Sequence, residues 1–176
     1  MRSESHIQRS RLHFCGWLLA VLLGAPASAT AQNLVLNGSF EDIGWCPSQF
    51  NQKDLRTIEH WTQAGQGTPD HFHECSNEVG VPINTFGRQP AVDGIGYAGV
   101  VLFSQPKPRY REYLQTRLTR SLSRGEWACV SWWVSAADAA QLVTDGMGAH
   151  LSVKPVVQDR EDILSVTPQV ANPPYH

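Results

Sequence analysis

Beyond its first thirty or so residues, this chain nowhere repeats apolar side chains at helical spacing for more than a turn or two, and it contains no internal repeat. Amphipathic helices and stacked repeats are therefore excluded as its organising principle. Charge is sparse as well. Lysine and arginine total 14 against 16 acidic residues, giving a net charge of −2, and the basic residues lie scattered among Asp and Glu instead of forming a stripe. A nucleic-acid partner would need that stripe, so the class is set aside. No second run of membrane length follows the first, which leaves no transmembrane segment expected after processing. The serines and histidines come without a nucleophile-elbow motif, and the chain is read as no enzyme.

What is present begins with a leader. Met1 to Ala31 has the plan of a secretory signal peptide: Arg2, Arg9 and Arg11 are basic, and Phe14 to Gly24 is apolar but short for a bilayer. Ala29-Thr30-Ala31 then fits the A-x-A cleavage rule. Cys15 precedes the apolar run, so it is no lipidated cleavage-site cysteine. The reading is of an exported protein, periplasmic, outer-membrane-associated or extracellular, with one domain over residues 32–176.

Three cysteines survive processing, Cys46, Cys75 and Cys129. In an oxidising compartment two of them pair and one is left over. Cys46 and Cys75 lie in turn-rich segments, whereas Cys129 sits inside an apparent strand where a buried free thiol is common. The expected disulfide is Cys46 with Cys75.

Strand signals dominate the rest. Two alternating runs, through Leu114 and Leu118 and through Ala128, Val130, Trp132 and Val134, flank a turn-like Ser121 to Gly125 and predict a central hairpin. Asn33 to Glu41 reads as a strand interrupted at Asn37-Gly38. Gly94 to Phe103 reads as a buried strand, Gly148 to Val157 as a strand with Leu151 and Val153 inward, and Ile163 to Val170 as one more. Asp42 to Gln89 is a long loop unless something ties it down; the disulfide and the aromatics Trp45, Phe50, Trp61, Phe72 and Phe86 are the candidates. The fold class is all-β, an antiparallel β-sandwich.

On the predicted hairpin, Tyr113, Gln115, Arg117, Trp127 and Trp133 share one face. Flat rings stack on sugar faces while planar polar groups take hydroxyls, so this face is the expected ligand site. The competing outcome is that the Asp42 to Gln89 segment folds over it and turns it into a second small core. In Asp70 to Cys75, His71, His73 and Cys75 alternate onto one side and suggest zinc. Oxidation of Cys75 and the lack of a second ligand pair make packing and loop hydrogen bonding the plainer reading. Glu41, Glu59, Asp70, Glu74, Glu112 and Asp138 are the carboxylates from which a glycosidase would draw a pair, with no separation legible. Arg109, Arg111 and Glu112 read as a solvated charged edge.

Several segments in fixed order carry a resemblance: NGSFE at Asn37 to Glu41, CP at Cys46-Pro47, GTPDHFHECSN at Gly67 to Asn77, VGVPINTFG at Val79 to Gly87, GIGYAGV at Gly94 to Val100, REYLQTRL at Arg111 to Leu118 and CVSWWVSAAD at Cys129 to Asp138. Together they resemble the N-terminal jelly-roll domain of bacterial OmpA-family cell-envelope proteins, itself similar to carbohydrate-binding modules of the galactose-binding-like type. The resemblance implies a jelly-roll sandwich and a non-catalytic module for a glycan or envelope component. It also implies a structural calcium ion, with Asn37, Glu41 and Asp138, or Asp145, as candidate oxygen ligands; no other cofactor is required. Further strands past Thr167 to Val170 are implied and missing, so the chain reads as truncated or as leaving an open sheet edge, where a protein partner could add a strand. No OmpA-like domain follows, so peptidoglycan attachment is not carried over.

Overall fold

The computed structural model describes residues 32–51, 55–142, 144 and 146–171. The expected leader, Asp145 and most of the Ala171 to His176 tail lie outside the described residues. Within them the fold is all-β: eight short strands, no helix, and only antiparallel pairing. The strands are β1 Trp61–Gln63, β2 Asp70–His73, β3 Ile83–Asn84, β4 Gly87–Arg88, β5 Gly96–Gly99, β6 Leu114–Thr116, β7 Gly148–Ala149 and β8 Val170–Ala171. They form four two-stranded sheets, β1 with β6, β2 with β5, β3 with β4 and β7 with β8. No helix among the described residues is long and apolar enough to cross a membrane.

The core lies where the sequence reading placed a loop. Leu55, Ile58, Ala64, Phe72 and Val79 are buried, and all five come from the Asp42 to Gln89 stretch. The expected ties are present there. Cys46 and Cys75 form a disulfide across a separation of 29 residues. Phe50, Phe72 and Phe86 meet with ring centroids 5.2–6.0 Å apart, and Phe72 stacks on its β5 partner Tyr97 at 4.9 Å. Each such contact adds to apolar burial. At the chain's entry, Asn37 turns the backbone at φ 48° and its carbonyl accepts from Phe40 N and Trp61 Nε1. Its side chain clasps the backbone of Asp42 and Glu59. The Asn-Gly signal marked this turn correctly.

The predicted central hairpin is corrected. Leu114–Thr116 pairs with Trp61–Gln63, Leu118 bridges to Val35, and Thr119 donates to the Leu34 carbonyl. Segments from earlier in the chain therefore hold β6, and the run from Ala128 to Val134 forms none of the eight strands. A local turn does exist at Ser123 to Glu126, closed by Glu126 N to Ser123 O and by the Arg120–Glu126 ion pair, but no ladder grows from it. The Gly148 to Val157 strand is likewise reduced to Gly148–Ala149. Leu151 and Val153, expected inward, are exposed, because only Val170–Ala171 lies alongside. Cys129 is free as expected but exposed, since its segment joins no sheet.

Candidate functional site

The five residues expected on one face are carried by two segments that form no hairpin with each other. Tyr113 takes a hydrogen bond from Leu164 N on its hydroxyl, and Gln115 is spent internally, donating to the carbonyls of Gln63 and Val156 and accepting from Val156 N. Gln115 thus meets the earlier segment at Gln63, and both residues also meet the later chain, at Val156 and Leu164. Arg117 is exposed, Trp127 is 98% exposed, and Trp133 is 51% exposed. Both indoles are carried by a segment that lies outside the eight strands.

The calcium candidates are each engaged by backbone donors or a turn. Both oxygens of Glu41 accept from Ile95 N at 3.0 Å, and Oε1 also takes Gly96 N at 2.9 Å. Gly94, at φ 67°, makes this nest possible: a Cβ there would overlap the Glu41 carboxylate. Asp138 accepts from Arg88 N at 2.8 Å, and Asn37 is occupied in its clasp. The three serve three separate contacts. Among the described residues no group of three or more His, Cys, Asp or Glu is arranged to hold a metal.

The structure instead brings together residues that the sequence reading kept apart. The chain leaves Val101, makes two successive turns, Lys107 N to Ser104 O and Tyr110 N to Lys107 O, and returns where Glu112 N meets Val101 O. Spacing by three puts Ser104, Lys107 and Tyr110 along one wall. With Asn51, Thr68 and Glu112 they line a cleft of about 340 Å³, Val101 and Glu161 completing it.

Glu112 is its hub. Read from sequence as part of a solvated edge, it is 3% exposed, and that reading is corrected. Its carboxylate accepts from Val101 N at 2.7 Å, Tyr110 OH at 2.5 Å, Thr68 N at 3.2 Å and Thr68 Oγ1 at 3.3 Å. A buried carboxylate is tolerable only with such a set of donors. Gly67 permits it, since a Cβ there would press to 2.9 Å from both the Arg111 carbonyl and the Glu112 side chain. Its neighbours Arg109 and Lys107 remain at the surface, paired with Asp162 at 2.8 Å and Glu161 at 2.7 Å. Tyr110 is shifted upward, first by burial and then by its bond to Glu112.

Asp70 and His71 on β2 sit behind this cluster with opposed electrostatics. Burial pushes the Asp70 carboxyl up to about 6; the Asn51 N–H pulls it back and the Glu112 charge adds a smaller push. Burial and then the neighbouring His73 hold His71 down at about 4, with the Phe40 backbone pulling it partly back up; that backbone contact is too poorly aligned to satisfy either ring nitrogen fully. The zinc set of His71, His73 and Cys75 is not assembled, with Cys75 in the disulfide and His73 Nδ1 accepting from Cys75 N.

A pH prediction follows. A carboxyl raised from 3.8 to about 6 penalises the fold increasingly as pH climbs through that window, and the penalty persists above it. A histidine lowered from 6.5 to about 4 penalises the fold as pH falls through its own window. The two offset each other in the parent chain. Asp70→Asn is expected to be more stable than the parent at pH 7 by about 1–2 kcal/mol, after discounting for the partial exposure of the carboxyl. The advantage should vanish near pH 4, exposing the acid-side loss from His71. Melting temperatures at pH 4, 5.5 and 7 check this; an equal gain at all three would refute it.

Comparison with known proteins finds no matching family model, no matching curated protein and no matching solved structure.

Proposed function

We propose that this protein is a non-catalytic exported module of the bacterial cell envelope, a jelly-roll sandwich that binds a glycan or another envelope component along Trp127 to Val134. One observation carries the reading: an extended run without a charged residue from Trp127 to Ala137 presents Trp127 and Trp133 to solvent at 98% and 51% exposure. Exposed indoles on an uncharged run mark a contact surface more often than idle surface. The resemblance to the OmpA-family jelly-roll domain and the Cys46–Cys75 bridge of an oxidising compartment support export and the envelope.

A second reading draws on the same run. Ala128 to Trp132 joins no ladder among the described residues, so a protein partner could dock there by adding a strand. Titration of the mature chain with cell-wall and plant polysaccharides, followed by tryptophan emission with and without calcium, separates the two. The expected result is a saturable shift that disappears in Trp133→Ala. A folded sample that stays silent across the panel would remove the glycan and leave strand addition.

A further inference from the structure

The cleft between the 101–112 loop and the chain at Asn51 and Thr68 is left unused by the contact surface at Trp127 to Val134. Its volume of about 340 Å³ lies within the roughly 300–1,000 Å³ typical of small-molecule sites. Its lining is unusual for an idle crevice in offering both hydrogen-bonding senses at short range. Thr68, Ser104 and Tyr110 bring hydroxyls, Asn51 an amide, Lys107 an ammonium and Glu112 a carboxylate.

We propose that this cleft binds the ring of an uncharged sugar. Thr68 Oγ1 stands 3.2 Å from Asn51 Oδ1 and 3.3 Å from Glu112 Oε1, yet it has a single proton to donate. Glu112 is already served by Val101 N, Thr68 N and Tyr110 OH, so the Thr68 proton can go to the Asn51 carbonyl, whose second lone pair is then what it offers an incoming hydroxyl. A sugar hydroxyl, donor and acceptor at once, satisfies such a set; Val101 and the Tyr110 ring offer the apolar side on which a ring's C–H face can rest.

Charge decides against the alternatives. Among the described residues, Glu112 and Glu161 line the cleft with Asp70 behind it, while the one cation lining it, Lys107, is bound to Glu161 at 2.7 Å and lies over the Tyr110 ring. An acidic sugar or a phosphate would meet more negative than positive charge. An apolar ligand would strand the polar lining.

The test is ligand-observed NMR and calorimetric titration of the mature, disulfide-bonded chain with neutral hexoses, N-acetylhexosamines and the matching uronic acids. Ser104→Tyr fills the cleft, Asn51→Ala removes one surface acceptor and is the milder check should the first variant misfold, and both are made in the Trp127→Ala/Trp133→Ala background, so that the other surface cannot contribute. In that background the proposal expects saturable binding of a neutral sugar, weakened at least tenfold by Ser104→Tyr and several-fold by Asn51→Ala, and at least tenfold weaker for the uronic acid. No saturable binding of any neutral sugar, stronger binding of a uronic acid, or binding that survives the folded cleft variants would each overturn it.

Discussion

Glu112→Ala is expected to cost about 3–5 kcal/mol of folding stability, since it leaves buried donors without the acceptor they were folded around. Val101 N, Thr68 N and the Tyr110 hydroxyl all end on this one carboxylate, which is itself almost fully buried. The side chain also holds the two ends of the 101–112 loop together, because Val101 N reaches its Oε2 while Glu112 N reaches the Val101 carbonyl. Glu112→Gln keeps one acceptor oxygen but turns an NH2 group toward donors, so a smaller loss of about 1–3 kcal/mol is expected. Urea denaturation at pH 7 should therefore rank parent, Gln and Ala in that order. An alanine variant within about 1 kcal/mol of the parent would mean that the network is replaced by water at little cost, against the low accessibility of the site.

The second large effect is expected from the disulfide. Cys46→Ala/Cys75→Ala should lose about 3–4 kcal/mol, the chain-entropy value for a closed loop of this length. The loop is no appendage. It contains Leu55, Ile58, Ala64 and Phe72, four of the buried apolar residues, so opening it loosens the core as well as the surface. Small domains hold a margin of roughly 5–15 kcal/mol, and this one loss is a large share of it. Denaturant midpoints of the oxidised and alanine chains measure the effect, and limited proteolysis should locate new cleavage between residues 46 and 75. Equal midpoints would show that the aromatic cluster of Phe50, Phe72 and Phe86 alone keeps the segment in place.

How much of this was legible beforehand varies with the range of the interaction involved. The Asn37-Gly38 turn, the disulfide and the all-β character rest on local chemistry: a residue tolerant of positive φ, thiols in turn-rich segments, and apolar residues alternating at a period of two. The hairpin failed for a reason that lies outside its own residues. Alternation says that a strand has two faces; it does not say which other strand takes its edge. Leu114 finds Gln63 fifty-one positions away (114 − 63), and the nearer Ala128 to Val134 forms none of the strands among the described residues.

Glu112 shows the same limit more sharply. Flanked by Arg111 and three residues from Arg109, it has the sequence signature of an exposed charge, and one-dimensional context offers no hint of burial. Burial came from Val101, eleven positions earlier (112 − 101), and Thr68, forty-four positions earlier (112 − 68), converging on it with their donors. The spacing by three of Ser104, Lys107 and Tyr110 was the one signal of the cleft present in the chain, and the Pro106 and Pro108 breaks obscured it as a plain loop. By itself, then, the sequence determined the class of fold, the bridge and the turns, because each depends on neighbours along the chain. Only the tertiary structure decided which strands pair, which carboxylate is buried and where the cleft opens, because those depend on which distant segments compete for the same edge and the same donors.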